Sequence, residues 1–483
     1  MLFNSIEFAI FIPIVFLLYW IPLKNSVRGQ NILLLIASYF FYGWWDWRFL
    51  SLIFLSSTLD FILGIKLDAE KNPNRRKALL ITSLIANLGF LGFFKYFNFF
   101  IESFVDTFTF FGQSIDAGRL DIILPVGISF YTFQTLSYTI DVYNKKIPAT
   151  RDFVGFYTFV SFFPQLVAGP IERASALLPQ FFNKRIFSYQ NASTGSKMIL
   201  WGLFMKVVVA DRLSIYVDDV YGDIGSNSGL SLAVATLFFS FQIYCDFAGY
   251  SLIAIGTAKL FDFNLMTNFK RPYFATSFKS FWSRWHISLS TWFRDYVYIP
   301  LGGSKVSKLK GASNLFITFL ISGFWHGANW TFIIWGALNA IYFLPLLLTK
   351  NNRNNLDIVA QGKYFPSIKE LSLMLLTFSL TVFAWIFFRS NNIGHALSFI
   401  SEIISPSLLT IPKFAGMNKA FITIILVGLF VVLEWFGREG QYAIAHLGIK
   451  WNPPFRYAMY YSIIFLIMYF GNFSENQFIY FQF

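Results

Sequence analysis

The stretch that decides the fold is LSLMLLTFSLTVFAWIFF, residues 371–388. It carries no charge, and its length falls in the range of roughly 17–25 residues that an α-helix needs to cross hydrocarbon. Similar apolar runs recur near 6–22, 31–45, 48–65, 79–100, 122–141, 196–217, 230–260, 312–325, 330–349, 420–436 and 457–473. The runs are continuous rather than alternating, which argues against a transmembrane β-barrel. Of the 483 residues, 56% are hydrophobic, 21% aromatic and only 13% charged, against about 25% charged in a soluble domain. The expectation is an all-α polytopic membrane protein of about 11–13 membrane segments, forming one transmembrane domain over 1–483.

Residues 153–186 begin apolar and are then interrupted by Pro164, Gly169, Pro170 and Pro179. That pattern suits a re-entrant or broken element, because irregular backbone at membrane depth must be buried in protein. The formal net charge is +13. A nucleic-acid partner is not the better explanation. Lys66, Lys71, Arg75, Arg76 and Lys77 crowd one loop; Lys145, Lys146 and Arg151 another; Lys270 to Lys310 a third; Lys350, Arg353, Lys363 and Lys369 a fourth. Basic loops mark the cytoplasmic side. The acidic loops holding Glu102, Asp106, Asp116 and Asp121, or Asp218, Asp219 and Asp223, are then external. If 153–186 does not cross, both termini lie outside. The single cysteine, Cys245, excludes an intramolecular disulfide. The N-terminus lacks a basic region and a small-residue cleavage site, so the first apolar segment reads as retained.

Two histidines stand out. His326 lies in ISGFWHGA (321–328), between two bilayer-length segments. Ionisable groups at such positions are costly and often functional, and imidazole suits proton transfer near neutral pH. A hydrogen-bonded structural role fits equally well from position alone. His286 lies in SFWSRWHISLSTWFRDY (280–296). On a helix, Trp282, Trp285, Leu289, Trp292 and Tyr296 share one stripe, which predicts an interfacial helix with indoles at headgroup level. Asp60, Lys95, Gln134, Asp141, Lys206, Asp211, Gln242, Asp246, Asn339 and Glu434 are further polar residues in apolar surroundings. Most read as helix–helix pairs or span ends.

Several motifs occur in order: QLVAGPIER (165–173), QIYCDFAGYS (242–251), NFKRPY (268–273), FWSRWHISLS (281–290), RDYVYIPLGG (294–303) and WHG (325–327). Together they resemble the membrane-bound O-acyltransferase family, nearest its alginate O-acetylating branch and more distantly the teichoic-acid D-alanyl transfer proteins. The resemblance covers nearly the whole chain. It implies a helical bundle with re-entrant and interfacial helices around a central funnel. It also implies that His326 is the catalytic histidine, that His286 is the second motif position, and that Asp246 belongs to a functional motif. An acyl group would be donated by a cytoplasmic thioester, acetyl-CoA or an acyl carrier, with no bound cofactor. It would be accepted by a hydroxyl reached from outside, on an exported polysaccharide. The implied setting is the bacterial inner membrane, with membrane lipid around the chain and an extracytoplasmic SGNH-type esterase-like partner.

Acyl transfer to an alcohol needs a base and donors for the oxyanion. Trp325 and Asn329 are candidates for the second role. Lys270, Arg271, Lys279 and Arg284 are candidates to hold donor phosphates, although cytoplasmic loops carry such charges anyway, and Trp282 lies beside them. No Gly-x-Ser-x-Gly elbow, phosphate-binding Gly-Lys-Ser/Thr loop or Cys/His metal cluster is present. The tail NQFIYFQF (476–483) reads as an aromatic belt. It also resembles the tail of a small peptide of the D-alanylation machinery, in which a Tyr is proposed to carry the acyl group. Tyr480 matches that Tyr. Competing readings are acyl transfer to teichoic acid or another surface polymer, a transporter or channel, and a scaffold. The lack of internal repeats weighs against a transporter, and the intact histidines weigh against a scaffold.

Overall fold

The computed structural model describes residues 1–111, 118, 120–167, 169–349, 357–412, 417–473 and 478–481. Asp116, Ala168, Lys350, Arg353, Asn476, Gln477, Gln482 and Phe483, named above, lie outside the described residues. Among the described residues every regular element is helical. Five helices are long and apolar enough to cross a membrane: Trp47–Ala69, Pro73–Phe110, Gly229–Leu260, Trp330–Leu348 and Ile368–Arg389. Shorter apolar helices include Ile6–Trp20, Phe153–Leu166, Ile393–Ile403 and Ala420–Phe436. The protein is an all-α polytopic membrane protein. As the prolines suggest, 153–181 is broken into Phe153–Ser161, Phe163–Leu166 and Ala174–Leu177, with a final turn Leu178–Phe181.

The contacts divide the chain into two compact units, Met1–Ala192 with Thr257–Met266, and Ser193–Gly256 with Thr267–Phe483. Within the first, the buried Asp60 carboxylate accepts hydrogen bonds from Ser83 Oγ (2.6 Å), Asn87 Nδ2 (2.8 Å) and Thr139 Oγ1 (3.1 Å). These residues come from Leu50–Ala69, Pro73–Leu91 and Ile128–Tyr143. Interhelical hydrogen bonds of this kind satisfy polar groups that lipid cannot. The helix–helix reading of Asp60 is therefore the one the geometry supports.

The second unit contains both motif histidines. Lys308–His326 and Trp330–Leu348 form a helical hairpin. Ser307 caps the first helix through Lys310 N, and Asn329 caps the second through Thr331 N. At Gly323 an added Cβ would collide with the Phe332 carbonyl, and at Gly336 with the Phe319 carbonyl. Only residues without side chains allow this backbone approach. It fixes the end of the first helix, where His326 stands. A second close crossing joins Tyr189–Leu203 to Gly229–Leu260, where Gly202 and Gly249 face each other's carbonyls at 2.6 and 2.7 Å from their would-be Cβ atoms. Just beyond Gly202 the helix widens into a π-helical segment, Phe204–Ala210.

One expectation fails. The interfacial helix over 281–296 is two short helices, Phe278–Trp282 and Ile287–Phe293, followed by a π turn, Arg294–Tyr298. Trp285, Leu289 and Trp292 are buried rather than displayed at a headgroup surface. The break falls at His286, whose backbone is left-handed at φ 41, ψ 54. No helical stripe can continue through that residue.

Candidate active site

His326, the last residue of its helix, is buried. Its ring sits 5.0 Å from Trp325, 5.0 Å from Trp335, 5.3 Å from Phe388 and 5.6 Å from Tyr480, measured between centroids. His286 is also buried and lies 4.6 Å from Phe247, 6.2 Å from Trp325 and 6.4 Å from Tyr480. The two imidazoles thus converge on the same indole and the same phenol, although they are 40 residues apart in sequence.

The left-handed backbone of His286 costs on the order of 1–3 kcal/mol in a non-glycine residue and persists only where its surroundings impose it. Here Ile287 N donates to the Asn268 carbonyl and Lys270 N to the Arg284 carbonyl, each at 2.9 Å, clamping both sides of the turn. The same neighbour sets the tautomer. Ser288 N donates to Asn268 Oδ1 at 3.3 Å, and a backbone N–H can only donate, so that atom is the amide oxygen. His286 Nδ1 lies 3.1 Å from it and therefore carries the proton. Nε2 then holds the lone pair. Ser288 Oγ adds a third bond to the same oxygen at 2.9 Å.

Burial lowers the His286 imidazole from 6.5 to about 3, so it stays neutral at physiological pH. A group held neutral below its unfolded value takes up a proton only on unfolding. Stability should therefore fall as pH drops from 6.5 towards about 3. The replacement His286→Gln should flatten that acid limb in thermal unfolding of the detergent-solubilised protein; an unchanged limb would contradict the buried neutral state.

Tyr480 belongs to a short turn, Ile479–Phe481. Its phenol oxygen is enclosed, and its ring also packs against Phe247 at 4.6 Å and Phe478 at 5.5 Å. Burial first, and then the Asp246 charge, hold its phenol above the ordinary range. It cannot ionise unaided, so nucleophilic action needs a base. Asp246 meets the tail directly: Ile479 N donates to its Oδ2 at 2.8 Å. Its Oδ1 lies 2.8 Å from Lys206 Nζ.

The remaining sequence candidates are dispersed. Asn329 Nδ2 donates to the Asn391 carbonyl at 2.6 Å while its Oδ1 serves as the helix cap. Its amide is thus engaged away from the histidines, whereas Trp325 lies between them. Arg271 is buried with its Nε 3.3 Å from Glu434 Oε2 and Nη1 donating to the Gly440 carbonyl at 2.6 Å. Arg284 donates to Ser280 Oγ at 3.1 Å and the Asp357 carbonyl at 2.8 Å. Lys270 is exposed. Trp282 lines a cavity of about 500 Å³ together with Lys279, Arg294 and hydroxyls that include Ser283, Ser290 and Ser322. Ile287, next to His286, is also in its wall. Burial, and then the nearby Arg294 cation, lower the Lys279 ammonium. Sequence reading gave no role to Asn268, Ser288, Lys206 or Asp211. Asn268 and Ser288 stand inside the motifs NFKRPY and FWSRWHISLS, and Lys206 and Asp211 show in the sequence only as charges in apolar surroundings.

The model of the MBOAT, membrane-bound O-acyltransferase family, matches residues 144–384. The chain is 37% identical over 448 residues to "Probable alginate O-acetylase AlgI" of Pseudomonas aeruginosa, covering 92% of this chain and 82% of that protein. It is 33% identical to "Peptidoglycan O-acetyltransferase" of Helicobacter pylori, over 100% of this chain and 98% of the relative. A weaker likeness, 29% over 46% of this chain and 57% of the relative, links it to "Teichoic acid D-alanyltransferase" of Streptococcus thermophilus. With its buried histidine pair and its helical architecture, the chain belongs to the membrane-bound O-acyltransferase family and is an O-acyltransferase of polymers.

Proposed function

We propose that this protein moves an acetyl group from a cytoplasmic thioester, acetyl-CoA or an acyl-carrier thioester, across the bacterial inner membrane for O-acetylation of an exported, alginate-like polysaccharide. The observation that carries this reading is the phenol of Tyr480 set beside both His326 and His286. The phenol oxygen attacks the thioester carbonyl while its proton passes to His326. The adduct collapses, and the leaving thiolate takes that proton and departs as the thiol. A polymer hydroxyl then attacks the aryl acetate, its proton again passing through His326 to the departing phenolate. In their intrinsic order each leaving group is a weaker base than the attacking group: thiolate before phenolate, then phenolate before alkoxide. His286, kept neutral, serves to orient the site rather than to hold the proton. In this reading the Trp325 indole, packed against both histidines, donates to the developing oxyanion.

The donor's polar arm fits the cavity lined by Lys279, Arg294 and the serine hydroxyls. In this reading an SGNH-type partner outside the membrane takes the acetyl group where the polymer does not accept it directly. A second acceptor, peptidoglycan, is favoured by the end-to-end likeness to the Helicobacter protein. Acetylation assays on membranes offered each polymer with a labelled donor separate the two. Label in neither polymer would reject both.

The same reading sets the topology: 66–77 and 304–310 inside, 102–121 and 218–229 outside, both termini outside. In a Cys245→Ser background, Arg75→Cys should react with an impermeant thiol reagent only after cells are opened. Labelling of sealed cells would reverse the orientation.

A further inference from the structure

Lys206 lies between two carboxylates, 2.8 Å from Asp211 Oδ1 and 2.8 Å from Asp246 Oδ1. All three side chains are buried. Lys206 falls within the π-helical segment Phe204–Ala210, a local widening often found where a helix serves a function. The C-terminal tail docks on this segment. Asn472 N donates to the Val207 carbonyl at 2.9 Å, and Asn472 Nδ2 to the Asp211 carbonyl at 3.0 Å. Farther along, Ile479 N donates to Asp246 Oδ2. The next residue is Tyr480. The ion chain and the tail thus meet at two points, and the second lies one residue from the phenol.

We propose that Asp211, Lys206 and Asp246 form a positioning clamp, in which Lys206 pairs with one Asp246 oxygen and aims the other at the Ile479 N–H, which places Tyr480 beside the two histidines. A carboxylate accepts from an N–H more strongly than a neutral amide does. A lone carboxylate at this depth would be costly, and Lys206 offsets that cost. The geometry divides the labour: one Asp246 oxygen takes the cation, the other takes the tail. The role rests on the acyl-relay reading of Tyr480, and it makes these residues positioning residues without contact to substrate.

Two variants test it from opposite sides of one hydrogen bond. Asp246→Asn removes the charge but keeps an oxygen, and Lys206 retains Asp211 as its partner, so the fold should survive. Ile479→Pro deletes the N–H from the tail and leaves the ion chain intact; position 479 opens its turn, where proline is tolerated. In both, kcat for polymer acetylation should fall about 10²-fold through misplacement of the phenol, while KM for the thioester donor holds. The amides of Tyr480 and Phe481 should lose hydrogen-exchange protection, and Lys206→Arg should restore more activity than Lys206→Met. Retained protection and wild-type kcat in both variants would overturn the clamp. Failure of the relay looks different: Tyr480→Phe would keep its product, while Asp246→Asn would still release the tail.

Discussion

Replacing His326 with alanine is expected to lower polymer acetylation by about 10²–10⁴-fold, the usual worth of a positioned general base. The site explains why nothing nearby should replace it. The phenol it would serve is enclosed and held above its ordinary range. The other imidazole beside that ring, His286, is held neutral down to about 3, too weak a base to take the proton. His326 also packs against Trp325, Trp335 and Phe388. Alanine would open a cavity there, so His326→Gln is the companion variant: it fills the space and lacks a basic nitrogen. Both should reach the membrane at normal levels and yield no ester above background. Wild-type product from His326→Gln would remove His326 from the chemistry.

The second large effect concerns one oxygen atom. Tyr480→Phe keeps the ring that packs on Phe247, Phe478 and His326. The tail remains tied through Ile479 N and Asn472. An interfacial anchor would tolerate the change, because anchoring depends on the ring. A relay has no acceptor without the hydroxyl and should lose product to the background of the assay. Binding of the thioester donor should be unchanged, since the cavity proposed for the donor does not include Tyr480.

The all-helical membrane class was legible because spanning helices declare themselves by length and composition, although five helices among the described residues, against the roughly 11–13 segments expected, are long and apolar enough to cross. The stretch 371–388 lies inside Ile368–Arg389, and 230–260 nearly coincides with Gly229–Leu260. The break after Phe153 was legible from its prolines. The segment around His286 was not, because spacing alone makes 281–296 a continuous stripe. The left-handed residue that interrupts it is a histidine, and tertiary bonds from Ile287 N to the Asn268 carbonyl and from Lys270 N to the Arg284 carbonyl clamp the turn that holds it. His326 and His286 could be nominated individually from their settings. Their convergence on Trp325 and Tyr480 needed the fold. Lys206 was visible as a charge in an apolar run, but the π segment that carries it has no sequence signature. Its link to the tail depends on residues more than 260 positions away. Arg271 shows the opposite case: a basic residue in a basic loop, whose charge is committed to Glu434 inside the unit.

In the proposed relay the acetyl group rests on Tyr480 between donor and polymer. Membranes holding the protein are incubated with an acetyl-labelled thioester donor and no polymer, quenched in acid and digested, and the peptide containing Ile479–Phe481 is sequenced by mass spectrometry. An acetyl ester is expected on the Tyr480 oxygen, disappearing when polymer is added and never forming in His326→Gln. Full transfer to polymer with an unmodified Tyr480 peptide at every time point would contradict it.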